Sequence, residues 1–125
     1  MFYYIRDPGK ITEESFKRIN ALGCLSEFEP QEREVAARLI HTCGEPDIIK
    51  QLVLSENAIE CGIESISRAS PVLCDVEMVR QGINRNRLKT DVLCFINSEG
   101  VVDRAKINGE TRTMTALEYW SSYLN

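Results

Sequence analysis

Two short apolar runs constrain this chain most: Pro71-Val72-Leu73-Cys74 and Asp91-Val92-Leu93-Cys94-Phe95-Ile96. Between them lies Asp75-Val76-Glu77-Met78-Val79, whose spacing is helical. Gly82 closes that segment, and Asn84-Arg85-Asn86-Arg87 follows as a polar loop. A strand, a helix and a second strand in this order predict parallel pairing, because parallel neighbours need a crossover and a helix is the usual one. Helices between short buried strands read as an α/β fold, with layered helices around a mostly parallel sheet. Such sheets place their binding crevice at the carboxyl ends of the strands, and Asp75 follows directly on one. Asp75 is therefore a candidate site residue and equally a candidate N-cap; the two roles are compatible.

The rest of the chain is mainly helical. Residues 1–11 read as an extended arm, with Tyr3, Tyr4 and Ile5 favouring a strand or a packed arm and Pro8-Gly9 turning the chain. Thr12 is expected to cap a helix whose first turn carries Glu13 and Glu14, where the dipole favours acids. That helix bears Phe16 and Ile19 and ends near Leu22-Gly23. Ser15, early in it, reads most simply as a solvated or cap-assisting residue. A second helix starts at Pro30, a residue suited to the first helical position. Val35, Ala36, Leu39, Ile40 and Cys43 form its apolar stripe, and Gly44 and Pro46 stop it.

Asp47 to Gln51 predict a short turn or helix, and Leu52-Val53-Leu54 a buried strand. Ser55-Glu56-Asn57 cap a helix with Ile59, Gly62, Ile63 and Ile66 as its core face, broken by Ala69-Ser70-Pro71. Beyond the second strand, Asn97 to Gly100 form a turn, and residues 101–108 are either a short helix or a strand. Thr111 caps a last helix bearing Met114, Leu117, Trp120 and Tyr123 or Leu124. No repeat, low-complexity run or linker interrupts the 125 residues, so 1–125 is expected to be one domain.

His41 is the only histidine, at the end of the helix that Gly44 terminates. Histidine alone has an unperturbed charge change near neutral pH, so His41 is the first candidate for acid–base chemistry. At a helix carboxyl end the dipole favours a cation, which suits a proton donor better than a base. The alternative is a structural polar residue. Other chemistries lack their patterns. There is no GxGxxG or P-loop, and no nucleophile elbow. His41-Thr42-Cys43 supplies too few ligands at awkward spacing for zinc, so no metal is expected. A Cys–His pair with Cys43 or Cys74 is conceivable, without an oxyanion-hole signature to support it.

Charge narrows the partners. The net charge of −4 leaves no overall basic surface, which disfavours general nucleic-acid binding. An anionic partner requires a local arginine cluster. Arg85 and Arg87 share a loop, and Arg112 follows Thr111 at a helix start, an arrangement suited to carboxylate or phosphate. Spacing alone does not bring these arginines to His41 and Asp75. No apolar run approaches the ~20 residues of a membrane span, and the N-terminus lacks the order of a signal peptide, so a cytoplasmic protein is expected. Cys24, Cys43, Cys61, Cys74 and Cys94, odd in number and without a CxxC, read as free thiols.

These residues carry a family likeness. The run Arg38-Leu39-Ile40-His41-Thr42-Cys43-Gly44, with Pro71-Val72-Leu73-Cys74-Asp75-Val76-Glu77-Met78-Val79 and Gly82-Ile83, resembles the precorrin-8X (cobalt-precorrin-8) methylmutases of cobalamin biosynthesis. So do Tyr4-Ile5-Arg6-Asp7, Ser15-Phe16, Leu88, Val92-Leu93-Cys94 and Thr111-Arg112, in order and spacing along almost the whole chain. The resemblance implies an isomerase that moves a methyl group from C11 to C12 of a corrin precursor, giving hydrogenobyrinate or its cobalt form. It implies no redox cofactor and no external methyl donor. It gives His41 the protonation of the ring C nitrogen, and assigns Ser15, Asp75, Glu77, Arg87, Thr111 and Arg112 to lining or supporting the pocket. The implied partner is a corrinoid precursor, a polycarboxylate macrocycle, and the implied assembly a homodimer.

By the same resemblance, the sequence corresponds to the N-terminal two-thirds of a family chain and lacks the C-terminal third. A parallel sheet cut there is expected to leave a strand edge and apolar helix faces uncovered. The alternative expectation is a truncated, non-catalytic corrinoid-binding module, or one half of a split enzyme.

Overall fold

Proline and its preceding cap set where the helices begin. In the computed structural model, which describes residues 4–124, α1 spans Pro8–Ala21. Asp7 is its N-cap, its carboxylate accepting from the Lys10 N–H at 2.8 Å. The helix thus begins well before Thr12, which lies inside it and donates its hydroxyl to the Pro8 carbonyl at 3.0 Å. An aspartate followed by proline at the first helical position is the stronger start signal, because the ring fixes φ and the missing N–H costs nothing there. Tyr4 and Ile5 are exposed and form no strand; Tyr3 lies outside the described residues.

The chain folds as two compact units, one ending at Ile59 and the other starting at Glu60. In the first, α2 spans Pro30–Cys43, the bounds expected from Pro30 and Gly44. Its first turn is closed by Glu32, whose carboxylate accepts from the Glu29 N–H at 3.2 Å. A 3₁₀ turn, Pro46–Gln51, follows. α1 packs on α2 through a core of Ile19, Leu25, Ala36, Ala37, Ile40 and Ile49. The buried face of α2 is centred on Ala36, Ala37 and Ile40, while Cys43 is exposed. Leu52 packs on this core, yet Leu52-Val53-Leu54 is not a strand, and Val53 is 89% exposed. An apolar triplet without a neighbouring strand has no ladder to join.

In the second unit, β1 (Val72–Cys74) and β2 (Val92–Cys94) form a parallel pair with Val72 opposite Val92, Leu73 opposite Leu93 and Cys74 opposite Cys94. α3 (Ala58–Ser67), which starts at the boundary, precedes β1. The crossover contains α4 (Glu77–Gly82) and a 3₁₀ turn, Arg85–Arg87. Residues 101–108 are helical, as α5 (Val101–Asn108), and α6 (Arg112–Leu117) runs into a 3₁₀ turn, Glu118–Ser122. α5 and α6 pack together, with Val101, Ala105, Thr115 and Ala116 buried. Arg104 and Glu118 form an ion pair across this helical segment.

The parallel strands and their helices agree with the expected α/β arrangement, on a sheet of two strands. Two expected core faces do not. Ile63 and Ile66 of α3 are exposed, and so are Met114 and Leu117 of α6. Periodicity marks which residues share a face; whether anything covers that face is a tertiary matter. Among the described residues no helix is long and apolar enough to cross a membrane.

Candidate functional site

The end of α2 is built to present one side chain. Gly44 adopts a left-handed conformation, φ 70°, and its N–H caps the Ile40 carbonyl at 2.8 Å. A residue with a Cβ resists that conformation, so glycine makes the clean stop. Ile40 is buried in the core, which turns the next residue, His41, out to the exposed side.

α1 holds the imidazole from the side. Ser15 Oγ lies 2.8 Å from His41 Nδ1, a contact between residues 26 positions apart. The Phe16 ring stacks on the imidazole with centroids 5.0 Å apart and planes 16° from parallel. One residue thus fixes the ring plane and its neighbour fixes the rotation within it. The Arg38 guanidinium, one turn before His41 on α2, lies over the same Phe16 ring at 5.7 Å. A depression of about 220 Å³ opens beside the imidazole, lined by Ser15, Arg18, Leu22, Ile40, His41 and Pro46. A larger hollow of about 660 Å³ shares Ser15 and Arg18 with it and adds Tyr4, Ile5 and Ile11. Arg18 is steadied by Glu14, Nε to Oε1 at 3.1 Å.

This arrangement has a chemical consequence. With Nδ1 held by Ser15, Nε2 is the nitrogen left for a ligand. A charged imidazole carries hydrogen on both nitrogens, so Nδ1–H donates to Ser15 Oγ. When Nε2 gives up its proton, the neutral ring that results still carries Nδ1–H, and the bond to Ser15 survives unchanged. Nothing in the pair has to reorganise as the proton leaves.

The remaining sequence candidates belong to the second unit. Asp75 follows the last residue of β1, as expected, and is exposed. It is not the N-cap of α4. Val76 occupies that position, with no side-chain capping bond. Glu77 opens α4 and is engaged internally: Arg80 Nη1 donates to its carboxylate at 3.0 and 3.4 Å, and Gln81 Nε2 at 3.4 Å. Arg80 Nε also donates to the Val92 carbonyl at 2.9 Å, so the pair ties α4 to β2. The Arg80 hydrogen bond holds the Glu77 carboxyl below its ordinary range. Burial pushes the Cys74 thiol up, with its strand neighbour Cys94 adding to the effect. Arg87 is exposed in its 3₁₀ turn. Thr111 caps α6 as expected, Oγ accepting from the Met114 N–H at 3.2 Å, and exposed Arg112 is the first helical residue.

Three contributors escaped the sequence reading. Arg80 had a signal, three residues after Glu77 on a predicted helix, the spacing at which opposite charges meet. The Phe16 stack and the placement of Arg38 over it had none, since both depend on how α1 meets α2.

Fold and site together define an α/β chain with a candidate proton-transfer centre at a helix carboxyl end. The comparisons with known proteins agree on the family of the chain. The family model described as precorrin-8X methylmutase matches residues 10–125. A precorrin-8X methylmutase of Sinorhizobium sp is 36% identical over 123 residues, covering 97% of this chain and 59% of the relative. That of Pseudomonas aeruginosa is 35% identical, covering 99% and 61%. A cobalt-precorrin-8 methylmutase of Leptospira interrogans is 31% identical, covering 90% and 53%. The solved precorrin-8x methyl mutase of Thermus thermophilus superposes with a TM-score of 0.80 at 29% identity, covering 93% of this chain and 58% of that one. The chain belongs to the precorrin-8X methylmutase family. It spans about 59% of the length of the Sinorhizobium relative.

Proposed function

We propose that this chain acts in the methylmutase reaction of cobalamin biosynthesis, moving a methyl group from C11 to C12 of precorrin-8X or its cobalt form. The observation that carries the reading is the Ser15–His41 bond, because it occupies Nδ1 and leaves Nε2 as the ring nitrogen free for proton exchange. His41 donates that proton to the ring C nitrogen, drawing electron density out of the macrocycle and easing the shift. Ser15 holds Nδ1 throughout, and Phe16 keeps the ring plane. The methyl group passes between neighbouring carbons of one molecule, so the isomerisation consumes no proton: the one lent by His41 leaves the ring nitrogen after the shift and returns to Nε2. Within the second unit, Asp75, Arg87, Thr111 and Arg112 are proposed as substrate-binding residues, the arginines serving the acetate and propionate groups. Glu77 contributes through its brace with Arg80.

On this reading residues 1–125 work as one domain, in a cytoplasmic homodimer. The exposed isoleucines of α3 support an assembled state, since uncovered apolar surface is commonly an interface. Light scattering on the purified chain tests the assembly. The central test is His41→Ala. Turnover of the precursor is expected to vanish, while hydrogenobyrinate still shifts the visible spectrum on titration. Normal turnover by the variant overturns the role of His41. Binding without turnover by the unaltered chain points to the corrinoid-binding module instead.

A further inference from the structure

The His41 centre has a charged neighbour, Arg38, placed over the same aromatic ring. Arg38 and His41 lie three residues apart on α2, the spacing that puts two side chains on one helix surface, about 5–6 Å apart at Cβ. Both approach Phe16: the imidazole stacks on it at 5.0 Å and the guanidinium sits over it at 5.7 Å. A guanidinium held over an aromatic ring still has N–H groups to offer, and their fork matches a carboxylate. Arg38 is exposed and forms no ion pair among the described residues. Four other arginines are occupied: Arg18 with Glu14, Arg68 with Glu64, Arg80 with Glu77 and Arg104 with Glu118. Contact with Phe16 restricts the long side chain before any ligand arrives, which lowers the entropy cost of binding.

We propose that Arg38 is a carboxylate receptor beside the proton donor, gripping one acidic side chain of the macrocycle while His41 Nε2 faces a ring nitrogen. This rests on the functional reading above and adds a specificity residue to it. The grip sets the register of the macrocycle on α2, so the proton reaches one nitrogen and not its neighbours. A ligand with amides in place of carboxylates lacks the acceptor pair that the fork needs.

The test is a UV-visible titration of the full chain with hydrogenobyrinate and with a counterpart whose side-chain carboxylates are all primary amides. Arg38→Met keeps the length and most of the contact with Phe16 but removes the charge. It is expected to weaken hydrogenobyrinate binding about tenfold, the scale of one charge-assisted bond, and to leave the amide ligand unchanged. Arg38→Lys, which keeps the charge and loses the fork, is expected to fall between. Equal weakening of both ligands by Arg38→Met overturns the proposal, because it reports a packing role. Unchanged binding of hydrogenobyrinate overturns it as well. If the unaltered chain binds hydrogenobyrinate and only the Arg38 predictions fail, the functional reading stands. If the unaltered chain gives no spectral shift, both fall.

Discussion

Replacing Ser15 by alanine removes one hydrogen bond from His41, the proposed proton donor, and little else. The Phe16 stack at 5.0 Å remains, so the imidazole keeps its plane but loses what selects its rotation within that plane. The lost contact is 2.8 Å long, between a half-buried hydroxyl and an exposed ring. Hydrogen bonds to charged groups are worth about 1.5–3 kcal/mol net. Water competes at this exposed ring, so the lower end applies, about 1.5 kcal/mol. At about 1.4 kcal/mol per factor of ten in rate, kcat is expected to fall about tenfold. KM should barely change, because Ser15 acts on the imidazole rather than on the macrocycle. The measurement is steady-state turnover followed through the visible spectrum, with Ser15→Thr as the control that keeps a hydroxyl. A Ser15→Ala variant with unaltered kcat refutes the argument that this bond orients the donor. So does a loss of kcat that the unfolded fraction fully accounts for.

Three further outcomes follow from the packing and the charges. Ile40→Ala opens a cavity in the core of the first unit and should cost about 3 kcal/mol, read from the denaturant midpoint by far-UV circular dichroism; a cost below about 1 kcal/mol would show that the core collapses around the gap. Glu77 is held below its ordinary value by Arg80, so the pair stabilises the fold above pH 4.5 and loses that contribution as pH falls through the lowered value. The stability gap between the unaltered chain and Glu77→Gln should therefore narrow below pH 4.5, and a gap constant with pH refutes the pairing. Among the cysteines, exposed Cys43 and Cys61 should take up a maleimide first and buried Cys74 last. Its raised thiol also predicts a labelling rate that still climbs above pH 9.0, and mass spectrometry of the labelled peptides checks the order.

Legibility in the sequence followed the range of the forces involved. α2 could be read to its bounds because its start and stop signals, Pro30 and Gly44, act on their own backbone. The start of α1 was misplaced because two local signals competed, and Asp7-Pro8 prevailed over Thr12. The βαβ order of β1, α4 and β2 was legible, since a helix between two apolar runs leaves parallel pairing as the simple solution. The same apolar signal misled at Leu52-Val53-Leu54, which among the described residues has no partner strand to make a ladder. Capping by Thr111 was legible; the cap at Asp75 was not, because the chain bends once more after β1 and passes the position to Val76.

For the candidate site the division is sharper. Sequence alone determined that one histidine stands at a helix carboxyl end and that arginines recur along the chain. Only the tertiary structure decided that Ser15 takes Nδ1, that Phe16 sets the ring plane and that Arg38 shares that ring. A helix cap is written in neighbouring residues because its hydrogen bonds close within one turn. A contact between residues 26 positions apart exists only after two helices have packed, and the angle at which Ala36, Ala37 and Ile40 bury against α1 is what brings Ser15 to His41.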